Sequence, residues 1–140
     1  MKKVLVDTGH WVGAFYKRDK WRELGLELLE WFDKQDKENL QIIITYGILT
    51  EVIARLINKA GFDAANKVLD FFRESDKITI YNDTYKFEEE IYEIFKKYKG
   101  LSLVDSEIVV RYYNIGCDYL LSTAGEFTRC TGLNCFKSPV

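Results

Sequence analysis

Four short apolar runs divide the chain, and polar turn residues follow each of them. The runs are rich in Val, Ile, Leu and Tyr and are too short for helices, which is typical of buried strands. They cover residues 4–6, 42–45, 78–81 and 118–122. The pattern therefore predicts four short strands, the first of which ends directly before Asp7-Thr8-Gly9.

Longer stretches between these runs carry apolar residues at helical spacing, with charged residues on the opposite face. The first covers residues 21–32, where Trp21, Leu28 and Phe32 fall on one side. Further helices are predicted over residues 50–61, 62–72, 84–98 and 104–113. These bounds place Glu51 and Asp105 in the first turns of their helices.

Strands that alternate with helices favour a mostly parallel sheet covered on both faces. We therefore predict an α/β fold with three layers, α/β/α, around a central and mostly parallel sheet of four to five strands. The 140 residues are typical of one domain, and no linker or internal repeat interrupts them. A single domain over residues 1–140 is expected.

Composition narrows the choice of partners and compartment. The formal net charge is -2, so a nucleic-acid partner would have to bind a local basic patch and not an overall basic field. No apolar run is long enough to cross a bilayer, and a cytoplasmic protein is expected. The three cysteines form no C-x-x-C pair and have one histidine beside them, which disfavours zinc. We expect reduced thiols, with a Cys130–Cys135 bridge left open.

Four acids fall near the carboxyl ends of the predicted strands. Asp7 ends the first strand, Glu51 and Asp105 open helices, and Glu126 follows the last strand. In open α/β sheets, ligands bind beyond the carboxyl ends of the strands, so these acids are expected to share one crevice. Clustered carboxylates repel one another unless a cation is bound, and a site with oxygen ligands favours Mg²⁺ or Mn²⁺.

Each of these acids also has a purely structural explanation. Asp and Glu at the start of a helix often cap free backbone N–H groups and favour the helix dipole. That alternative stays open for Glu51 and Asp105. Asp7 is harder to explain as a solvating charge, because it comes directly after a buried strand.

At these positions the sequence resembles the PIN-domain family, and especially its small VapC-type toxin members. Val4-Leu5-Val6-Asp7-Thr8-Gly9 resembles the family's opening strand and first acid. Leu49-Thr50-Glu51-Val52 is similar to its helix-borne glutamate, and Leu101-Ser102-Leu103-Val104-Asp105-Ser106 to its third acid. The segment Cys117–Phe127 resembles the strand and turn that carry a fourth. The order and spacing of these motifs carry the resemblance over the whole chain.

The chain departs from the family pattern at one position. Many members carry an aspartate two residues after the Ser or Thr that closes the last strand, where this chain has Ala124. Glu126, directly before Phe127, matches an acid that other members carry before the same aromatic residue. The resemblance therefore gives Glu126 the fourth role and leaves the effect of Ala124 on metal binding open.

The resemblance implies a Mg²⁺-dependent endoribonuclease, with Mn²⁺ able to substitute, that leaves 5′-phosphate and 3′-hydroxyl ends. Asp7, Asp105 and Glu126 would hold the metal, and Glu51 would ligate it or orient the attacking water. Thr8 and Ser102 would form hydrogen bonds within the site. A VapC-type toxin would also have a cognate antitoxin that masks the acidic crevice. A homodimer is expected, and the apolar surface around Trp21, Trp31 and Phe32 is a candidate for either partner or for the core.

Substrate contacts are less specific in the sequence. Arg129 follows the last strand and is a candidate to contact RNA phosphates. A basic group follows the first strand, where exposed helix faces explain its charges equally well: Lys17, Arg18, Lys20 and Arg22. His10, the only histidine, needs no catalytic role beside a metal-bound water.

Two alternatives remain. One is a catalytically weakened or inactive domain that keeps the fold and binds protein or RNA, with Ala124 as its sign. The other is a phosphatase-like α/β enzyme that uses the first Asp as a nucleophile. Such enzymes usually carry a second acid two residues on, where this chain has Gly9.

Overall fold

The structure is a computed structural model that describes residues 1–140, and its sheet is parallel throughout. The strand order is β3-β2-β1-β4-β5. The fifth strand is a short one near the C-terminus. The bounds are β1 (Lys2–Val6), β2 (Leu40–Thr45), β3 (Ile78–Tyr81), β4 (Tyr119–Leu121) and β5 (Cys135–Phe136). The predicted parallel sheet of four to five strands is confirmed.

Six helices connect the strands. They are α1 (Thr8–Phe15), α2 (Arg22–Lys34), α3 (Tyr46–Ala60), α4 (Phe62–Glu74), α5 (Glu88–Lys97) and α6 (Leu103–Ile115). Helices α1 to α4 pack against one another on one face of the sheet, and α5 packs on α6. Right-handed crossovers place α5 and α6 on the opposite face, because the chain reverses direction across the sheet after β3. The three-layer α/β/α prediction is confirmed.

The sheet supplies the centre of the core. Val4, Leu5 and Val6 in β1 are fully buried, as are Ile42 and Ile44 in β2. These strands are covered on both faces, which explains why they read as continuous apolar runs and not as an alternating pattern. The sequence pattern thus reflects burial of the strands that carry the site.

Two predicted helices are corrected, and one further helix was missed. Helix α3 begins at Tyr46, directly after β2, because the Thr45 hydroxyl caps it by accepting from the Ile48 backbone N–H at 3.1 Å. Glu51 therefore lies in its second turn and not its first. Helix α1 was not predicted, since residues 8–15 are apolar almost all round and have no helical stripe. The predicted helix over residues 84–98 is a 3₁₀ helix, Thr84–Phe87, followed by α5.

The remaining expectations about the chain are met in part. All three cysteines are free, so the open Cys130–Cys135 bridge does not form. None of the helices combines the length and the apolar character that crossing a membrane requires.

Candidate functional site

A cavity of about 610 Å³ opens at the carboxyl ends of the central strands. Strand β1 has β2 on one side and β4 on the other, so the chain reverses direction across the sheet at this point, where α/β sheets place their ligands. Polar and charged side chains dominate the lining. The lining residues are Asp7, Thr8, Gly9, Val12, Arg18, Asp19, Lys20, Trp21, Glu51, Arg55, Lys59, Asp105, Thr123 and Ala124.

Asp7 is the most buried acid of this cavity, with 8% of its surface exposed. It follows β1 directly and serves as the N-cap of α1, where its Oδ1 accepts from the Thr8 backbone N–H at 2.7 Å. Its Oδ2 accepts from the Ser122 hydroxyl at 2.9 Å, and Ser122 Oγ in turn accepts from the Ala124 N–H at 3.0 Å. No basic side chain forms an ion pair with Asp7.

The surroundings of Asp7 disfavour its charge. The pKa of Asp7 is raised from 3.8 to about 6. Burial is the largest cause, and the nearby Asp105 and Glu51 carboxylates also raise it. The hydrogen bonds from Thr8 and Ser122 act in the opposite direction and lower the pKa. A buried carboxylate in this environment is favourable for a cation, whose charge would offset both the desolvation and the repulsion.

Glu51 reaches the same cavity from the second turn of α3. The Thr8 hydroxyl donates to Glu51 Oε2 at 3.0 Å, so the residue after Asp7 holds the second acid in place. The Arg55 guanidinium lies one helical turn further on, 4.0 Å from the same oxygen. The structure therefore places Thr8, to which the resemblance gives a hydrogen bond within the site, beside Glu51, while its role in the site stays a prediction.

Asp105 lines the cavity and also caps α6. Its backbone N–H donates to Ser102 Oγ at 3.0 Å, and its Oδ2 accepts from the Ser102 N–H at 3.1 Å, which is a complete capping box. The structural alternative for this acid is therefore correct, and it holds alongside the placement in the cavity. Ser102 contacts Asp105 but does not itself line the cavity.

The donor set of the cavity fits a hard cation by its chemistry. It offers carboxylate and hydroxyl oxygens without sulfur or imidazole, a set that favours Mg²⁺ or Mn²⁺ over Zn²⁺. The three acids are not drawn together, since no group of three acids, cysteines or histidines is arranged to hold an ion. The Asp105 and Glu51 carboxylates each have one oxygen engaged, by Ser102 and by Thr8 respectively.

Glu126 is not brought into this cavity. After Ala124 the chain enters a 3₁₀ helix, Gly125–Arg129, whose turn buries Phe127 in the core and leaves Glu126 exposed beside Gly100. Ala124, by contrast, lines the cavity. The position that the sequence marked as lacking an acid is therefore at the site, and the acid that replaces it is outside.

Only some of the basic residues suggested for substrate contacts line the cavity. Arg129 is exposed and donates to the Lys99 carbonyl outside the cavity. Arg22 is engaged by the carbonyls of residues 13 and 14, and Lys17 does not line the cavity. Arg18 and Lys20 do line it.

Two further basic residues of the cavity, Arg55 and Lys59, were missed. They lie on successive turns of α3, and Lys59 Nζ is 3.7 Å from Asp19 Oδ1. Their sequence signal was the spacing 51, 55, 59, which places all three side chains on one helix face. The helix predicted over residues 50–61 already contained this spacing.

The three aromatic residues proposed for the core or a partner surface separate in the structure. Phe32 is buried in the core, and Trp31 is half-buried against it. Trp21 lines the acidic cavity. The homodimer stays a prediction.

His10 has a structural role. Its Nε2 lies 2.6 Å from the Lys137 carbonyl, which joins α1 to the C-terminal segment, and burial lowers its pKa. His10 does not line the cavity.

Comparison with solved structures identifies the fold of this chain. No protein-family profile matches this sequence, and neither does any curated protein. VapC20 from Mycobacterium tuberculosis, a sarcin-ricin loop cleaving toxin, aligns with a TM-score of 0.76 at 19% identity, over 89% of this chain and 92% of its own. VapBC2 from Rickettsia felis, bound to a DNA fragment from its promoter, aligns with a TM-score of 0.64 at 20% identity, over 96% and 97%. The chain therefore has the PIN-like fold of VapC-type toxins.

Proposed function

We propose that this chain is a metal-dependent endoribonuclease that hydrolyses RNA phosphodiester bonds in the cavity around Asp7. The observation that carries the proposal is the state of Asp7 itself. It is a buried carboxylate with no basic partner, it shares its cavity with Glu51 and Asp105, and its pKa is raised to about 6. Such a group is costly in an apoprotein and well suited to a divalent cation.

Asp7, Glu51 and Asp105 are the residues that would hold Mg²⁺, with Mn²⁺ as a substitute. The ion would supply a water of lowered pKa and offset negative charge on the phosphoryl and leaving oxygens. Ser122 orients Asp7 through its hydroxyl, and Thr8 orients Glu51. Glu51 would accept a hydrogen bond from the attacking water through the oxygen that Thr8 leaves free.

The basic wall of the cavity suits the phosphates of the substrate. Arg18, Lys20 and Lys59 line the same cavity as the acids. Lys and Arg contacts to phosphates position a nucleic acid without reading its sequence. We assign these residues to the nucleotides that flank the cleaved bond, in preference to Arg129, which is engaged by Lys99.

The experiment compares Asp7→Asn with Asp33→Asn, an exposed acid on α2 that lies outside the cavity. Cleavage of a fluorescently labelled RNA pool is measured with Mg²⁺ and with a chelator. We expect wild type and Asp33→Asn to cleave only with Mg²⁺, and Asp7→Asn to lose cleavage by at least about 100-fold while it keeps its circular dichroism spectrum. Equal cleavage by Asp7→Asn and wild type would overturn the proposal.

The biological role that fits this activity is that of the toxin in a toxin-antitoxin pair. Of the two similar structures described above, one is of VapC20, a sarcin-ricin loop cleaving toxin, and the other is of VapBC2 bound to a promoter DNA fragment. A cognate antitoxin would then inhibit cleavage by covering the acidic cavity. Expression of this chain alone should arrest growth, and a chain that is harmless when expressed alone would contradict the toxin role.

A second candidate is a binding module of the same fold with weakened or no activity. Two observations favour it: Ala124 lines the cavity where an acid would assist metal binding, and no three acids are arranged to hold an ion. This candidate expects no cleavage with Mg²⁺ or Mn²⁺, together with retained RNA or protein binding. The cleavage assay above therefore distinguishes the two.

A further inference from the structure

Trp21 is an aromatic residue that lies outside the apolar core. It lines the acidic cavity, whereas Trp11 is fully buried and Trp31 packs against the core. Trp21 belongs neither to the core cluster nor to the apolar residues packed on it, and it stacks on no other aromatic ring. A large apolar side chain left half-exposed in a polar cavity points to a binding role.

The backbone of Trp21 is held in place by hydrogen bonds. Its N–H donates to Asp19 Oδ2 at 2.9 Å, and its carbonyl accepts from the Gly25 N–H at 2.9 Å in the first turn of α2. Gly13 of α1 lies so close that a Cβ there would overlap the Trp21 carbonyl. The indole is therefore presented from a fixed point between α1 and α2.

Positive charges surround the Trp21 ring. Lys20 Nζ lies 5.5 Å and Lys137 Nζ 5.9 Å from its centroid, both within cation–π range. Arg18 and Lys59 line the same cavity. An aromatic ring bordered by Lys and Arg is the combination that binds single-stranded nucleic acid, because the bases stack on the ring while the cations contact the phosphates.

We propose that Trp21 is a stacking platform for one unpaired base of single-stranded RNA, next to the phosphodiester bond that enters the acidic cavity. This inference rests on the proposed ribonuclease function and adds the class of substrate. A base inside a duplex is already stacked on its neighbours and would have to be extruded to reach the ring. The platform therefore selects loops, bulges and single strands over duplex RNA.

The test measures binding in the Asp7→Asn background, with a chelator, so that no strand is cleaved. The probes are a short oligouridylate and the matching ribose-phosphate chain without bases. Trp21→Leu removes the ring, Trp21→Phe keeps a smaller one, and Trp31→Phe is the matched control outside the cavity. Dissociation constants are obtained by fluorescence anisotropy for each protein with each probe.

Stacking makes a specific expectation for these constants. Trp21→Leu should weaken oligouridylate binding by roughly 5- to 150-fold, the range of one base–aromatic stack, and should leave binding of the abasic chain within about twofold. Trp21→Phe should recover part of the loss, and Trp31→Phe should match its parent.

The outcomes separate the platform from the function on which it rests. Equal effects of Trp21→Leu on both probes, or no effect on either, would overturn the platform, while RNA cleavage by the wild-type protein would still support the ribonuclease. If the protein with Asp7 restored neither binds oligouridylate nor cleaves RNA in Mg²⁺, the proposed function fails and the platform fails with it.

Discussion

The Ser122 hydroxyl donates to Asp7 Oδ2 at 2.9 Å, between residues 115 positions apart in the sequence. The bond joins the ends of β4 and β1, the two neighbouring strands whose carboxyl ends open into the acidic cavity. It also links Ala124 to the site, since Ser122 Oγ accepts from the Ala124 N–H. The sequence did not indicate Ser122 as a site residue. Its hydroxyl nevertheless forms the side-chain hydrogen bond to Asp7, the acid that carries the proposed function.

Removal of this hydroxyl should alter the titration of Asp7. The Ser122 hydrogen bond stabilises the charged carboxylate and lowers its pKa, so Ser122→Ala should raise the pKa of Asp7 further. The acidic limb of the pH profile of RNA cleavage should then move to higher pH. Ser122→Thr, which keeps a hydroxyl, should retain the wild-type profile. An unchanged profile in Ser122→Ala would mean that this bond does not control the charge of Asp7.

The raised pKa of Asp7 also predicts how stability depends on pH without metal. The folded pKa of about 6 lies above the unfolded 3.8, so the folded state binds more protons between these values. The contribution of Asp7 to stability is therefore most favourable below about pH 4 and decreases as the pH rises through 6. Asp7→Asn should remove this dependence and be more stable than wild type at pH 8, by about 1–3 kcal/mol. Urea denaturation at pH 4 and pH 8 measures it, and a wild type that gains stability relative to Asp7→Asn over this range would contradict it.

The exposed position of Glu126 leads to a prediction opposite to that of the sequence motif. Because its side chain lies beside Gly100 and not in the cavity, Glu126→Gln should keep Mg²⁺-dependent cleavage within about threefold of wild type. Steady-state cleavage rates across a Mg²⁺ titration provide the measurement. A loss comparable to that of Asp7→Asn would show that Glu126 reaches the ion after all, as the resemblance implies.

An acid introduced at position 124 should strengthen Mg²⁺ binding. It lines the cavity beside Thr123, so Ala124→Asp adds a fourth carboxylate where the ion would bind. We expect the Mg²⁺ concentration for half-maximal cleavage to fall by about 10-fold, as one added carboxylate strengthens a hard-cation site. Ala124→Asn is the matched control for size. If the aspartate and asparagine variants have the same Mg²⁺ dependence, Ala124 is not close to the ion.

The strands and Asp7 were predictable because their signals are local. A run of apolar residues that ends at an acid and a hydroxyl residue shows both a buried strand and the acid at its end. The start of α3 was not predictable from apolar periodicity, since the Thr45 cap lies inside the strand run and Tyr46 is exposed. The error moved Glu51 from the second turn of α3 to the first, but it left Glu51, Arg55 and Lys59 at helical spacing on one face.

The positions of Trp21 and Glu126 could not be predicted from the sequence pattern, because they depend on local packing. Trp21 falls on the same helical stripe as Leu28 and Phe32, yet it stands at the N-cap of α2, one position before the helix, and leaves the core. Glu126 follows a strand whose end is at the site, yet a 3₁₀ turn directs it away. In both cases the geometry of one turn at the end of an element decides where the side chain lies, and periodicity carries no information about such turns.

A crystal structure of the protein soaked in Mn²⁺, with anomalous diffraction to locate the ion, tests most directly whether Asp7 holds a divalent cation. We expect Mn²⁺ in the cavity with carboxylate oxygens of Asp7 and Asp105 as ligands, and with Asp105 rotated away from its capping bond to Ser102. Glu51 should lie within reach of the ion directly or through a water. If the protein cleaves RNA with Mn²⁺ but its crystals show the ion bound away from Asp7, the proposed metal site is contradicted.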